Sequence, residues 1–151
     1  MTNSVKIDPK SGNVKIGERF LLQSSHSLKD TRKLLADLIT NERDIKNGYL
    51  WLNIQENLIF GDLPCALRIC FYQSQLKEFS WGVHLPDMEL ERGWPTRKAI
   101  DEEIHFVRNE LTIQLRQKVT KDGVEFPWGV IWSIFDQKSF IASHGLRYVA
   151  N

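Results

Sequence analysis

A chain of 151 residues with 42% hydrophobic and 26% charged side chains falls among ordinary soluble globular proteins, away from disordered and fibrous classes, and suits one domain with one sizeable core. Twenty Lys and Arg against nineteen Asp and Glu leave a net charge of +1, so no global field gathers nucleic acid or an anionic membrane. No apolar run approaches the roughly 18 residues of a membrane span. The opening MTNSVKIDPK also lacks an apolar signal core, which makes the cytosol the expected compartment.

Val5 to Ile7 and Val14 to Gln23 flank the turn residues Pro9, Ser11, Gly12 and Asn13, which predicts an opening hairpin with Gly17 at a bulge. Ser27 followed by Asp30 resembles a capping box with a shortened acid. Leu34, Leu35, Leu38 and Ile39 share one helical face, predicting a first helix from about Leu28 to Thr40. The polar stretch Asn41 to Gly48 reads as a loop, and YLWLNIQ reads as a strand buried on both sides. Leu67, Ile69, Phe71 and, separately, Phe79, Trp81, Val83, Leu85 alternate as two central strands of a meander, ended by Pro86. PDMELERGWP then reads as a loop carrying Asp87, Glu89 and Glu91, with Met88, Leu90 and Trp94 between them.

Thr96 opens the strongest helical signal, an apolar stripe of Ile100, Ile104, Val107, Leu111 and Leu115. Asp101, Glu102 and Glu103 are expected in its first turns, Arg116 and Lys118 in its last, and Lys121 to Gly123 at its stop. The last quarter, Phe126 to Val149, predicts a long hairpin about Asp136 to Ser139, with Phe135 opposite Phe140, Trp132 opposite Ser143 and Val130 opposite Gly145. Trp132, on one face with Trp128, Val130 and Ile134, is expected against the helical stripe. The order ββαβββαββ gives an α+β fold, a single antiparallel β-sheet of about six or seven strands with two helices packed on it.

The chemistry-bearing residues do not converge in sequence. His26, His84, His105 and His144 fall on four predicted elements with no metal spacing, so each reads as a surface or locally bonded residue and no metal or cofactor is expected. Cys65 and Cys70 would face opposite sides of one strand, which disfavours a disulfide and suits small buried hydrophobes. Ser133, Ser139 and Ser143 lack a nucleophile elbow, and acids in a helix's first turns are explained by its dipole, so no catalytic residue is assigned. Arg147 with Tyr148, Trp128 and Trp132 reads as an aromatic core with an arginine on its rim rather than a nucleic-acid site. Sixteen aromatic residues suit a protein interface.

The C-terminal pattern Trp128-Gly129, Trp132-Ser133, Phe135-Asp136, a polar turn, then Arg147-Tyr148, together with the opening IDPKSGNVKIGERF, resembles bacterial immunity proteins of contact-dependent growth inhibition and polymorphic toxin systems; it covers about 40 of the 151 residues. The resemblance implies a non-enzymatic, stoichiometric inhibitor of one cognate toxin domain, often a nuclease, acting in the cytosol without direct contact to nucleic acid or membrane. Carboxylates would complement a basic nuclease cleft, which points to Asp87, Glu89, Glu91, Asp101, Glu102 and Glu103 with Met88 and Trp94 as apolar anchors. The alternative is a small ligand-binding module or enzyme with its site between sheet and helix.

Overall fold

The computed structural model describes residues 2–149. Strands β1 (Asn3–Ile7), β2 (Val14–Ile16) and β3 (Phe20–Leu22) precede helix α1 (Leu28–Leu34). A run of strands follows: β4 (Asn41–Lys46), β5 (Tyr49–Ile54), β6 (Leu58–Phe60), β7 (Leu63–Tyr72), β8 (Gln75–Val83), β9 (Leu90–Glu91) and β10 (Trp94–Pro95). Helix α2 (Arg97–Leu115) then leads to β11 (Val124–Phe126), β12 (Gly129–Asp136) and β13 (Ile141–Tyr148).

Eleven strands form one sheet, and β9 with β10 form a separate ribbon. The path β11-β12-β13-β8-β7 is antiparallel, after which β7 forks. Its later residues pair with β5, which carries β4 at its edge, while its first residues pair with β6. β6 lies parallel to β1, and β2 and β3 complete the path.

The α+β class and the two helices agree with the sequence reading, but the sheet is mixed and has eleven strands rather than six or seven. The added strands are short or edge-lying, too short or too exposed to carry a readable periodicity. β4, expected as a loop, is exposed along its whole length and is held by backbone pairing to β5 through the Asn47-Gly48 turn, both residues at positive φ. Gly17 marks a tight turn that separates β2 from β3 rather than a bulge.

α1 is shorter than expected. Ser27 Oγ accepts the Asp30 N–H at 3.1 Å, but the helix stops at Leu34. Leu38 and Ile39 then stay on the core through turns that bond to the Leu35 carbonyl, because Thr40 already donates to the Asn53 carbonyl at 2.7 Å. α2 begins at its Thr96 cap as expected and buries Ile100, Ile104, Val107, Leu111 and Leu115. It ends at Arg116, whose φ of 54° breaks the helix before the Lys121–Gly123 turn. Asp101 to Glu103 therefore lie past the first turn, which holds Arg97 and Lys98 instead, so the expected dipole match is absent.

One face of the sheet, bearing Leu67, Ile69, Phe71, Phe79, Ile131 and Leu146, packs with Val107 and Leu111 of α2 into a single core cluster. Leu28 and Leu34 of α1 pack against the same cluster. β5 contributes Leu52 and Ile54 to it and leaves Tyr49, Trp51 and Asn53 only half-buried, so that strand is not buried on both sides.

The C-terminal hairpin is displaced by two residues from the expected register: Phe135 pairs with Ala142, Trp132 with Gly145 and Val130 with Arg147. Asp136 Oδ1 accepts Lys138 N–H at 3.0 Å and Ser139 N–H at 3.4 Å, and Phe140 adopts a φ of 53°, so Gln137 to Phe140 form the loop. Side-chain parity survives this shift. The inward face does not match expectation: Ile131 and Ser133 lie under α2, whereas Trp132 is half-buried on the opposite face. Close approach of the helix favours the smaller side chains, and Arg108 Nε reaches the Ser133 carbonyl at 2.8 Å.

The sheet curls so that the first hairpin meets the last. Trp128 Nε1 donates to the Pro9 carbonyl at 2.8 Å and the Tyr148 hydroxyl to the Gly12 carbonyl at 2.6 Å. Between them, Gln114 of α2 occupies the free edge of β1, its Oε1 accepting Ile7 N–H at 2.9 Å while its Nε2 donates to the Val5 carbonyl at 3.3 Å. The side-chain amide thus stands in for a neighbouring peptide.

Candidate protein-interaction surface

Pro86 ends the meander and Asp87 turns the chain at a φ of 54°. The segment expected as a plain loop then forms the β9–β10 ribbon, in which Glu91 pairs with Trp94 and Leu90 with Pro95 around an Arg92-Gly93 turn, both at positive φ. Thr96 N–H returns to the Glu89 carbonyl at 3.2 Å and fixes the ribbon to the start of α2. Cross-strand partners share a face, so Leu90 and Trp94 lie on opposite sides of the ribbon. Their exposures are 55% and 75%, while Met88 is half-buried.

The eight residues expected to form the surface are only partly brought together. Asp87, Glu89, Glu91, Asp101 and Glu102 are exposed. Two of these carboxylates have local cations, Asp101 with Arg97 at 2.9 Å and Glu89 with Lys98 at 3.8 Å, which lowers the acidity of the patch. Glu103 turns inward, because successive helical residues step by about 100°. Its Oε2 lies 2.7 Å from His144 Nε2, and His144 Nδ1 lies 2.8 Å from Ser133 Oγ.

Of the two expectations for His144, a surface or a locally bonded residue, the second holds: it is only 1% exposed, with both ring nitrogens bonded. With its proton on Nε2 it donates to the Glu103 carboxylate and accepts from the Ser133 hydroxyl, so both ring nitrogens are satisfied. Ser133 is fully buried and contacts the ring nitrogen that faces away from the carboxylate, so no substrate reaches its hydroxyl in this packing. What the three residues do is fasten α2 to β12 and β13.

A second apolar group adjoins the ribbon. The Arg97 guanidinium sits 3.7 Å from the centroid of Phe135, whose ring packs edge-on against Phe140. Phe140 is 50% and Ile141 46% exposed at the hairpin tip. These residues escaped the sequence reading because the expected register placed Phe140 inside the hairpin. The available signal was the Asp136-x-Lys138-Ser139 turn, whose Asx geometry places Phe140 in the loop.

The layer between sheet and helix, where a ligand site was the alternative, is occupied by the core cluster. Among the described residues, no group of three or more His, Cys, Asp and Glu side chains is placed to hold a metal ion, and no helix is long and apolar enough to cross a membrane. Cys65 and Cys70 are both free and buried, on opposite faces of β7; loss of hydration pushes the Cys65 thiol up to about 12 and the Cys70 thiol up to about 11. Compared with protein-family models, with curated proteins and with solved structures, the chain matches none.

Proposed function

We propose that the protein is a stoichiometric binder of another protein, an immunity protein that neutralises a cognate bacterial toxin domain in the cytosol without turnover of its own. The observation that carries this reading is the β9–β10 ribbon, which holds Trp94 and Leu90 out in solvent on a two-stranded support with Asp87 and Glu91 on the same segment. Large exposed apolar side chains carry an unfavourable hydration cost that a partner removes, and tryptophan is enriched at the energetic centres of interfaces. The unpaired carboxylates suit a toxin with a basic cleft, such as a nuclease, by steering its approach.

Co-expression with the toxin region encoded immediately upstream, followed by rescue and copurification, tests the reading. Binding of no neighbouring toxin overturns it. Within such a complex, Trp94→Ala is expected to weaken affinity by about 30-fold, corresponding to about 2 kcal/mol for a central aromatic. Glu91→Lys is expected to slow association more than it speeds dissociation. Neither variant should shift the urea midpoint, since both side chains are exposed in the free protein.

A further inference from the structure

The face of the sheet turned away from both helices is uncovered among the described residues. Ladder register fixes which side chains share it, because alternate residues of each strand point the same way. One row crosses six strands as Arg43, Trp51, Cys70, Glu78, Arg147 and Val130. The next row, two residues along each strand, reads Asn41, Asn53, Arg68, Ser80, Gly145 and Trp132.

The two rows place an arginine diagonally over each tryptophan. Arg68 lies 5.8 Å from the Trp51 ring centroid and Arg147 5.4 Å from that of Trp132. Trp132 is laid across Gly145, where a Cβ would collide with its ring, and its Nε1 donates to Ser143 Oγ at 3.0 Å. Arg68 is braced by Ser80 Oγ at 2.9 Å. Glu78, the only carboxylate in the two rows, is already engaged by Arg147 at 2.9 Å. Beyond these rows Ala66 pairs with Gly82, and a Cβ on Gly82 would meet nothing within 4 Å, so the floor there is open.

We propose that this face binds single-stranded nucleic acid, a role independent of the toxin reading. Two half-buried indoles, Trp132 held by its hydrogen bond to Ser143 and each with an arginine beside its ring, offer surfaces for bases, and Arg43 and Arg68, which have no carboxylate partner among the described residues, supply cations for phosphates. Six strands at about 4.8 Å spacing span roughly 24 Å, enough for a short run of about four nucleotides. An acidic protein segment would use the arginines but has no need of a tryptophan laid over a glycine, as Trp132 is over Gly145.

The test is a fluorescence-anisotropy titration of the full chain into labelled ten-nucleotide oligo(dT) at low salt. The expected result is saturable binding with a dissociation constant on the order of 10⁻⁵ M and a log–log salt slope of about −1.4, from two unpaired cations at about 0.7 each. Arg68→Glu should lower affinity at least tenfold, and Gly82→Glu, which adds a carboxylate where there is room for it, should do likewise with an unchanged melting curve. Trp94→Ala should change neither. No saturable binding overturns the proposal, as does binding that both face variants leave intact. Displacement of the oligonucleotide by polyglutamate at equal charge concentration also overturns it and assigns the face to an acidic protein.

Discussion

His144 has both ring nitrogens engaged inside the fold, so the worth of the Ser133–His144–Glu103 chain is read by removing either end. Glu103→Ala leaves a buried donor without a partner, an effect of about 1–3 kcal/mol on unfolding, and Ser133→Ala leaves a buried acceptor. Because the three share one network, the double variant should lose less than the sum of the singles, which urea unfolding of all three proteins checks. None of this was legible from the sequence: Glu103 and His144 stand 41 positions apart, and only tertiary packing chooses inward for one of three consecutive acids. Alternation groups Ser133 with Ile131, but the expectation turned that face away from the helix. The two indoles misled, since size suggested burial while the nearby helix required small side chains.

At the level of elements, the helices, the meander and the last hairpin were readable because each carries a full apolar stripe or alternation. Strands β3, β4, β6 and β11 were not: β4 is exposed throughout, and the other three are only three residues long, too short for an alternation to show. The same contrast separates the tryptophans. Trp128 stacks on Phe126 at 4.8 Å, contacts Tyr148 and bonds to the first turn, whereas Trp132 is half-buried on the helix-free face over Gly145. Trp128→Ala should therefore cost about 3 to 5 kcal/mol and detach the first hairpin, and Trp132→Ala clearly less, as paired unfolding midpoints will show. Gly12 belongs to this element too: at a φ of 76° with the Trp128 ring against it, it admits no side chain. The residues that carry the resemblance to immunity proteins, the Gly12 turn and the Trp128 and Tyr148 motif, are thus the two halves of one structural joint.

For the molecule as a whole, Cys65, Cys70 and Tyr148 form an alkaline limit to stability. Burial raises all three above their ordinary values, so below pH about 9 both folded and unfolded chains hold the thiol protons and the contribution is intact. As the pH rises from about 9 through about 11 to 12, the unfolded thiols ionise first and stability falls. Urea midpoints should accordingly drop across that window, more steeply than in Cys65→Ala, and a thiol reagent at pH 8 should label the native protein far more slowly than the unfolded one. The joint between the ends has another consequence. The Gly12 to Tyr148 hydrogen bond spans 136 positions and the Gln114 bridge to Ile7 spans 107. A ribosome delivering this chain would release β1 and β2 long before the residues that complete them exist. The opening hairpin must wait in an unclosed state with its strand edge open, and folding of so non-local a topology is slow. A chaperone that shields that edge during synthesis would act on the interval that α2 and β13 later end.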